Sequence, residues 1–443
     1  MTEPVVPDTP TAHAELLARH RQVMPRWLAL YYDEPIELVA GSGRHVVDGE
    51  GRRYLDFFGG ILTTMTGYDI PEVVDAIRTQ AGRMIHTSTL YLIRPMVELA
   101  EQLAPLSGIP GAKVFFTTSG TEANEAALLL ASTARRSNQV LALRNSYHGR
   151  SFATVGITGN RGWSASSLTP FTVHYVDAGH RFPGPGGRPS DARAIAAAVD
   201  DLRDVILTAT AGDVACLIAE PIQGVGGFTV PPDGLFGALK DVLDEYGILY
   251  VSDEVQTGWG RTGEHFWGYQ AHDLTPDLLT FAKGLGNGLA MAGVIGRGDL
   301  VDGLTANSIS TFGGNPLVAA GALANLRYLL DHDLQANAQA QGRRIGERLR
   351  PLADKLAVVG EVRGKGLMIG VELVGADGHS PAAGAASRVL DLARARGLLV
   401  GKGGLFGNCL RIAPPLSLTA DEADEGAGIL ADVLADVDAE VAP

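Results

Sequence analysis

Asp253 and Lys283 stand thirty positions apart, each at the carboxyl end of an apolar run, with only Ser252 intervening before Asp253. The run 248–251 is short, β-branched and aromatic, so it reads as a buried strand that delivers Asp253 at its carboxyl end. The run 278–282 delivers Lys283 in the same way. In open α/β sheets the carboxyl ends of strands are where ligands are handled. An acid and a lysine placed there meet the two demands of pyridoxal phosphate: an amine to hold its aldehyde as a Schiff base, and a carboxylate to keep its pyridine nitrogen protonated. Taken singly, each residue also fits a plainer role, an acid facing solvent and a surface lysine, so their neighbours matter.

Residues 115–128 read as a strand, a hydroxyl-rich turn and a helix. Free backbone N–H groups at the helix start, the positive end of the helix dipole and the hydroxyls around Ser119, Gly120 and Thr121 make an anion cradle suited to a phosphate. The same residues also suit a simple N-cap. After the next strand come Tyr147, His148, Gly149 and Arg150, where an aromatic ring can stack on a flat heterocycle and glycine permits close backbone approach. Glu220 closes the strand that starts at 214, at the same edge as Asp253 and Lys283, although a solvated acid before a turn would look alike. Arg411 precedes a proline-rich turn, and its planar fork suits a substrate carboxylate or, equally, a structural salt bridge. Other glycine-rich stretches fail on spacing: 284–288 lacks the pattern of a dinucleotide fingerprint, and 360–366 lacks that of a P-loop. No paired-cysteine or HExxH pattern suggests a metal.

The elements that must position these residues follow from pattern. From 113 to 296, strand candidates at 113–116, 140–143, 153–157, 214–219, 248–252, 278–282 and 292–295 alternate with helical periodicity. Near-continuous apolarity marks strands buried on both faces, hence an α/β fold with a mainly parallel seven-stranded sheet wrapped by helices. The stretch 179–190, with Pro183, Pro185 and Pro189, reads as a loop. Before this region lie a helix candidate at 12–21, a β-meander over 36–58 and a helix over 71–84. Beyond Pro316, helices at 317–330, 334–356 and 421–437 and strands at 358–362, 368–373 and 410–412 form a smaller α/β lobe, joined by the first sixty or so residues. The expected divisions are 1–65, 66–314 and 315–443.

A chain of 443 residues exceeds the size at which one core keeps growing. With 36 basic against 50 acidic residues, the formal charge of −14 argues against nucleic acid or an anionic membrane as partner. Two cysteines, Cys216 and Cys409, do not make a disulfide framework. No run approaches the roughly 18 apolar residues that span a bilayer, and no secretory leader is visible, so a cytoplasmic protein is expected.

Seven segments in order resemble the class III, fold-type I pyridoxal-phosphate aminotransferases, over almost the whole chain from about Tyr31: 119–125, 147–149, 220–224, 253–258, 282–284, 311–316 and Arg411. Segments 363–370 and 397–401 are similar to the alanine-glyoxylate branch, which also holds phospholyases. The resemblance implies that Lys283 is the Schiff-base lysine and proton shuttle and that Asp253 pairs with the pyridine nitrogen. It puts the phosphate on Ser119, Gly120 and Thr121, Tyr147 and Val255 on opposite ring faces, Gln256 on the ring hydroxyl and His148 in the same cofactor pocket. Thr311 would donate to the phosphate held by the other subunit, implying a homodimer with shared sites, or a tetramer of such dimers. Arg411 would bind the substrate α-carboxylate, with Glu220 as its gating partner, and Ile61, His86 and Tyr91 would lie in segments lining the substrate mouth.

Two positions depart from the family pattern. Thr118 stands where many members have Asn. Arg150 resembles the distal-carboxylate arginine of the ornithine and 4-aminobutyrate branches, which raises 2-oxoglutarate above glyoxylate as acceptor. The function implied is ping-pong transfer of an amino group between an amine or amino acid and an oxo acid such as 2-oxoglutarate, pyruvate or glyoxylate. An ammonia-lyase or phospholyase acting on an amino-alcohol phosphate is the alternative, and a non-catalytic cofactor-binding protein the remote one.

Overall fold

The computed structural model describes residues 10–179 and 190–441. The loop expected over 179–190 falls, from 180 to 189, outside the described residues. Three short strands, β1 (Leu38–Ser42), β2 (His45–Asp48) and β3 (Arg53–Asp56), form the expected meander. The main sheet follows: β4 (Ala112–Thr117), β5 (Gln139–Leu143), β6 (Thr172–Val176), β7 (Cys216–Ala219), β8 (Leu249–Asp253), β9 (Leu278–Phe281) and β10 (Ala292–Arg297). Their order is β4-β10-β9-β8-β7-β5-β6. All neighbours run parallel except β10, which is antiparallel to both β4 and β9. Strands β5, β7, β8 and β9 are buried along their whole length, as apolar runs covered on both faces should be.

One of the seven expected strands is not a strand. Residues Phe152–Gly156 form a helix, started by Ser151, whose side chain accepts the Thr154 N–H while the Thr154 hydroxyl returns the bond. A five-residue apolar run has no period long enough to separate buried strand from buried helix, and the capping box decides it. The seventh strand is instead β6, an edge strand whose exposed Thr172 and half-exposed His174 and Tyr175 break the apolar run that marks central strands.

The remaining strands are β11 (Val359–Lys365), β12 (Met368–Leu373), β13 (Leu398–Leu399), β14 (Gly401–Gly403) and β15 (Cys409–Ile412). An antiparallel sheet runs β11-β12-β15-β14. β13 pairs in parallel with β3, setting Leu398 against Leu55 and stitching the start of the chain to its end. The helix expected over 334–356 stops at Leu349, because Pro351 lacks an N–H to continue it. Among the described residues no helix is long and apolar enough to cross a membrane.

Candidate active site

At the carboxyl edge of the main sheet, β4, β8 and β9 deliver three pieces of one cavity of about 350 Å³. β4 turns through Ser119 into the helix Gly120–Arg135. Ser119 is the N-cap: extended at φ −147°, ψ 156°, its hydroxyl accepts the Glu122 N–H at 3.2 Å. The plain capping role and the anion cradle are therefore compatible, since Ser119, Gly120 and Thr121 all face the cavity. Gly149 sits at φ +137°, where a Cβ would come within 2.7 Å of the Thr121 hydroxyl, so only glycine fits beside the cradle.

β8 ends at Asp253, whose carboxylate is held on three sides. His148 Nδ1 lies 2.7 Å from Oδ2, Asn124 Nδ2 donates to Oδ2 at 2.8 Å, and the Val255 N–H donates to Oδ1 at 3.1 Å. Asn124 is in turn fixed: it donates to the His148 carbonyl at 2.8 Å and accepts from the Thr280 hydroxyl at 2.7 Å. His148 thus grips the acid as well as lining the pocket. Asn124 was missed in the sequence reading; a buried asparagine just inside a helix, on its sheet-facing side, is the signal that could have exposed it.

Lys283 follows β9 with a left-handed backbone, φ 44°, a conformation that non-glycine residues hold mainly where the surroundings enforce it. Burial lowers its amine from the usual 10.5 to about 8; Asp253 and Glu220 pull the value back up and Arg411 lowers it further. Glu220 is pushed the other way, to about 7, first by burial and then by Asp253, against the opposing pull of His148. Its oxygens accept the Tyr147 N–H at 2.8 Å and the Gly224 N–H at 2.9 Å. Tyr147 leans edge-on against Trp163, with centroids 5.6 Å apart. Gln256 lines the cavity and its buried Oε1 has no partner in the protein. Thr63 and the stretch 288–291, also overlooked in the sequence, complete the wall.

The other expected residues sit elsewhere. Arg411 is buried under the rings of Phe58 and Phe228, at 5.0 and 5.6 Å, and donates to the Lys402 and Gly224 carbonyls. The structure does not pair it with Glu220, whose oxygens are taken by backbone. Arg150 is exposed and lies 5.5 Å over the Trp27 ring, outside the cavity. Ile61 is half-exposed and Thr311 exposed; neither lines the cavity.

An anion cradle, a fixed carboxylate, an amine of lowered basicity and an unpartnered buried carbonyl oxygen share one small cavity, and this donor set fits pyridoxal phosphate. A family profile, aminotransferase class-III, matches residues 31–434. The chain belongs to the class-III aminotransferases. Alanine–glyoxylate aminotransferase 2 homolog 2 of Arabidopsis thaliana, mitochondrial by its name, is 39% identical over 419 residues, 94% of this chain and 86% of the plant protein. A phospholyase from Arthrobacter, solved with phosphoethanolamine, is 33% identical with a TM-score of 0.86, over 95% of this chain and 99% of that one. An amine transaminase from an uncultivated Pseudomonas species, solved with pyridoxal phosphate bound, is 31% identical with a TM-score of 0.85, over 92% and 96%. The protein is a fold-type I, pyridoxal-phosphate-dependent aminotransferase.

Proposed function

We propose that the enzyme transfers an amino group in two half-reactions at this one cavity, with Lys283 as cofactor-holding residue and proton carrier, and Arg411 as receptor for the substrate carboxylate. The observation that carries the proposal is the pairing of a lysine whose amine titrates near 8 with an aspartate fixed by His148 and Asn124. When bound, the cofactor supplies a reactive aldehyde carbon and a ring that draws electrons away from the substrate's Cα–H bond. The chain does the rest. Asp253 presents a carboxylate whose position three donors hold, which favours a protonated ring nitrogen opposite it. Lys283, more often neutral at pH 7 than an ordinary lysine by roughly two to three orders of magnitude, would accept the Cα proton and return it at the cofactor's former aldehyde carbon, across the intervening nitrogen. Ser119, Gly120 and Thr121 would hold the phosphate, Tyr147 and Val255 would flank the ring, and Gln256 would offer its free Oε1 to a ring hydroxyl.

A homodimer completes the site. Thr311 adjoins the exposed Phe312, whose ring lies 4.9 Å from that of His86, and the segment around His86 leaves Met84, Ile85, Leu90, Tyr91 and Leu92 exposed. Exposed apolar side chains in this number support a partner subunit, and with it the reading that Thr311 reaches the partner's phosphate site. The division of the chain at about 65 and 314 belongs to the same proposal. Both cysteines are buried and free, which supports a reducing compartment such as the cytoplasm. The acceptor is an oxo acid, and service of Arg150 to a distal carboxylate rests on resemblance; an Arg150→Ala enzyme with full 2-oxoglutarate activity refutes that role.

Anaerobic mixing of the holoenzyme with a panel of amines tests the main reading. A productive amine should bleach the visible cofactor band without any acceptor, and an added oxo acid should restore it. No bleaching with any amine overturns the proposal. Likeness to the Arthrobacter phospholyase favours one second reading, elimination from a phosphorylated amine. Ammonia release from phosphoethanolamine without an oxo acid would establish it.

A further inference from the structure

Arg261 is only 2% exposed, and burial alone lowers its pKa to about 9, with no acid offsetting the loss of water. A buried cation without a counter-charge is expensive, and an apolar side chain of equal length would fill the space at less cost. What the guanidinium does instead is bind carbonyls. Nη1 donates to the Leu367 carbonyl at 3.0 Å and to the Pro414 carbonyl at 2.9 Å, while the Arg261 carbonyl accepts the Leu367 N–H at 3.0 Å. Nη2 has no partner.

These contacts join the two halves of the site. Arg261 lies eight residues beyond Asp253, on the loop that leaves the cofactor strand. Leu367 is in the tight turn between β11 and β12, and β12 pairs with β15 so that Gly370 stands opposite Arg411. Pro414 is three residues past Arg411 on the same segment. The approach leaves no slack: a Cβ on Gly366, at φ +49°, would fall 2.4 Å from the Arg261 carbonyl oxygen. The guanidinium of Arg411 is aimed locally, by the Lys402 and Gly224 carbonyls and two rings, while Arg261, alongside the Lys365–Glu264 ion pair, ties its sheet to the cofactor loop.

We propose that Arg261 is a positioning residue that sets the distance between Arg411 and the cofactor cavity, and so determines how well a carboxylate guides a substrate onto the reacting carbon. The inference rests on the reading of Arg411 as carboxylate receptor. It touches neither substrate nor cofactor and leaves the cavity itself intact.

Two carbonyl reagents read this without turnover: aminooxyacetate, which carries a carboxylate, and methoxyamine, which does not. The wild-type holoenzyme should be captured faster by aminooxyacetate, followed as loss of the visible band. Arg261→Met should keep its cofactor band and methoxyamine rate, while the aminooxyacetate preference falls roughly tenfold or more, the scale expected when a guiding group shifts by a fraction of an ångström. An unchanged preference in Arg261→Met overturns the proposal, as does an equal fall in both rates, which marks a general structural role. Arg411→Ala serves as reference: if it too keeps the preference, the reading of Arg411 fails and takes the inference with it. Should Arg261→Met not fold, Arg261→Gln carries the same test, because its amide can reach at most one of the two carbonyls.

Discussion

Four successive residues at the edge of the cavity, Gly59, Gly60, Ile61 and Leu62, have positive φ, from 52° to 66°, making a single left-handed helical turn. Glycine holds this conformation freely, but for an L-residue the left-handed region costs about 1–2 kcal/mol, and a β-branched isoleucine is poorly suited to it. The turn persists because its surroundings fix it. Asp56 accepts the Phe58 and Gly59 N–H groups at 2.8 and 3.0 Å and the Tyr68 hydroxyl besides, and the Thr63 hydroxyl donates to the Gly60 carbonyl at 2.8 Å. Replacing Ile61, which is 47% exposed and sits at φ 66°, ψ 56°, separates strain from packing. Ile61→Ala and Ile61→Gly lose nearly the same buried surface, differing by one methyl group. In an ordinary helix the glycine variant would be the weaker by about 0.5–1 kcal/mol. Here the order should invert, with Ile61→Gly more stable than Ile61→Ala by about 1 kcal/mol, because only glycine escapes the left-handed penalty. The assay is urea unfolding of both variants at equal protein and cofactor concentration, since bound ligand shifts the midpoint. A midpoint for Ile61→Gly at or below that of Ile61→Ala refutes the reasoning.

Lys283→Ala should bind the cofactor without covalent retention after borohydride reduction, and amino transfer should fall by about 10²–10⁴-fold or more, measured by mass spectrometry and by half-reaction rates. In the apoprotein, the rate of cofactor capture should rise with pH while Lys283 sheds its proton and level off above about 8; a rate still climbing near pH 10 contradicts the lowered amine. Glu220 has its native value raised from 4.5 to about 7, so the native state holds a proton that the unfolded chain has lost between those pH values. Its contribution to stability is full below 4.5 and is lost as pH rises through 7; Glu220→Gln should flatten that fall in apoprotein unfolding midpoints, and an unaltered slope rules it out.

The parts of the site that could be read from sequence are those that chain geometry forces into view. Central parallel strands must be apolar on both faces, so β8 and β9 announce themselves, and with them Asp253 and Lys283 at their ends. The cradle at 119–121 is legible because helix starts need specific residues. What stayed hidden depends on long-range fit. The run 153–157 reads as a strand because five apolar residues carry no period, whereas the structure has the helix Phe152–Gly156, and the edge strand β6 escapes pattern because an edge is half wet. Asn124, Arg261 and the left-handed turn around Ile61 act through partners 24 to 156 positions away or through backbone angles, neither of which a residue type discloses.

Asp253 and its neighbour Glu254 show the same limit in a form that can be tested. Both are buried acids at the end of β8, and side-chain alternation says they diverge without saying which meets the cavity. Asp253 meets it. Glu254 turns inward and is saturated: the Gly268 and Tyr269 N–H groups donate at 2.8 Å each, the Ser252 hydroxyl at 3.1 Å, and the Thr257 hydroxyl as well. Asp253→Asn, with its oxygen in the place of Oδ2, keeps the shape and two of the three bonds of the carboxylate and sets its amide against the Val255 N–H alone, but removes the charge from the cofactor, so its loss of stability should be the smaller of the two and amino transfer should collapse. Glu254→Gln does the reverse. Its amide nitrogen would confront donors, leaving a buried N–H unsatisfied at a cost of about 1–3 kcal/mol, while the cofactor's surroundings stay as they were. Paired measurements of urea midpoint and half-reaction rate should place the two variants on different axes. An Asp253→Asn enzyme that transfers amino groups at the wild-type rate would dismiss the assignment of the two roles.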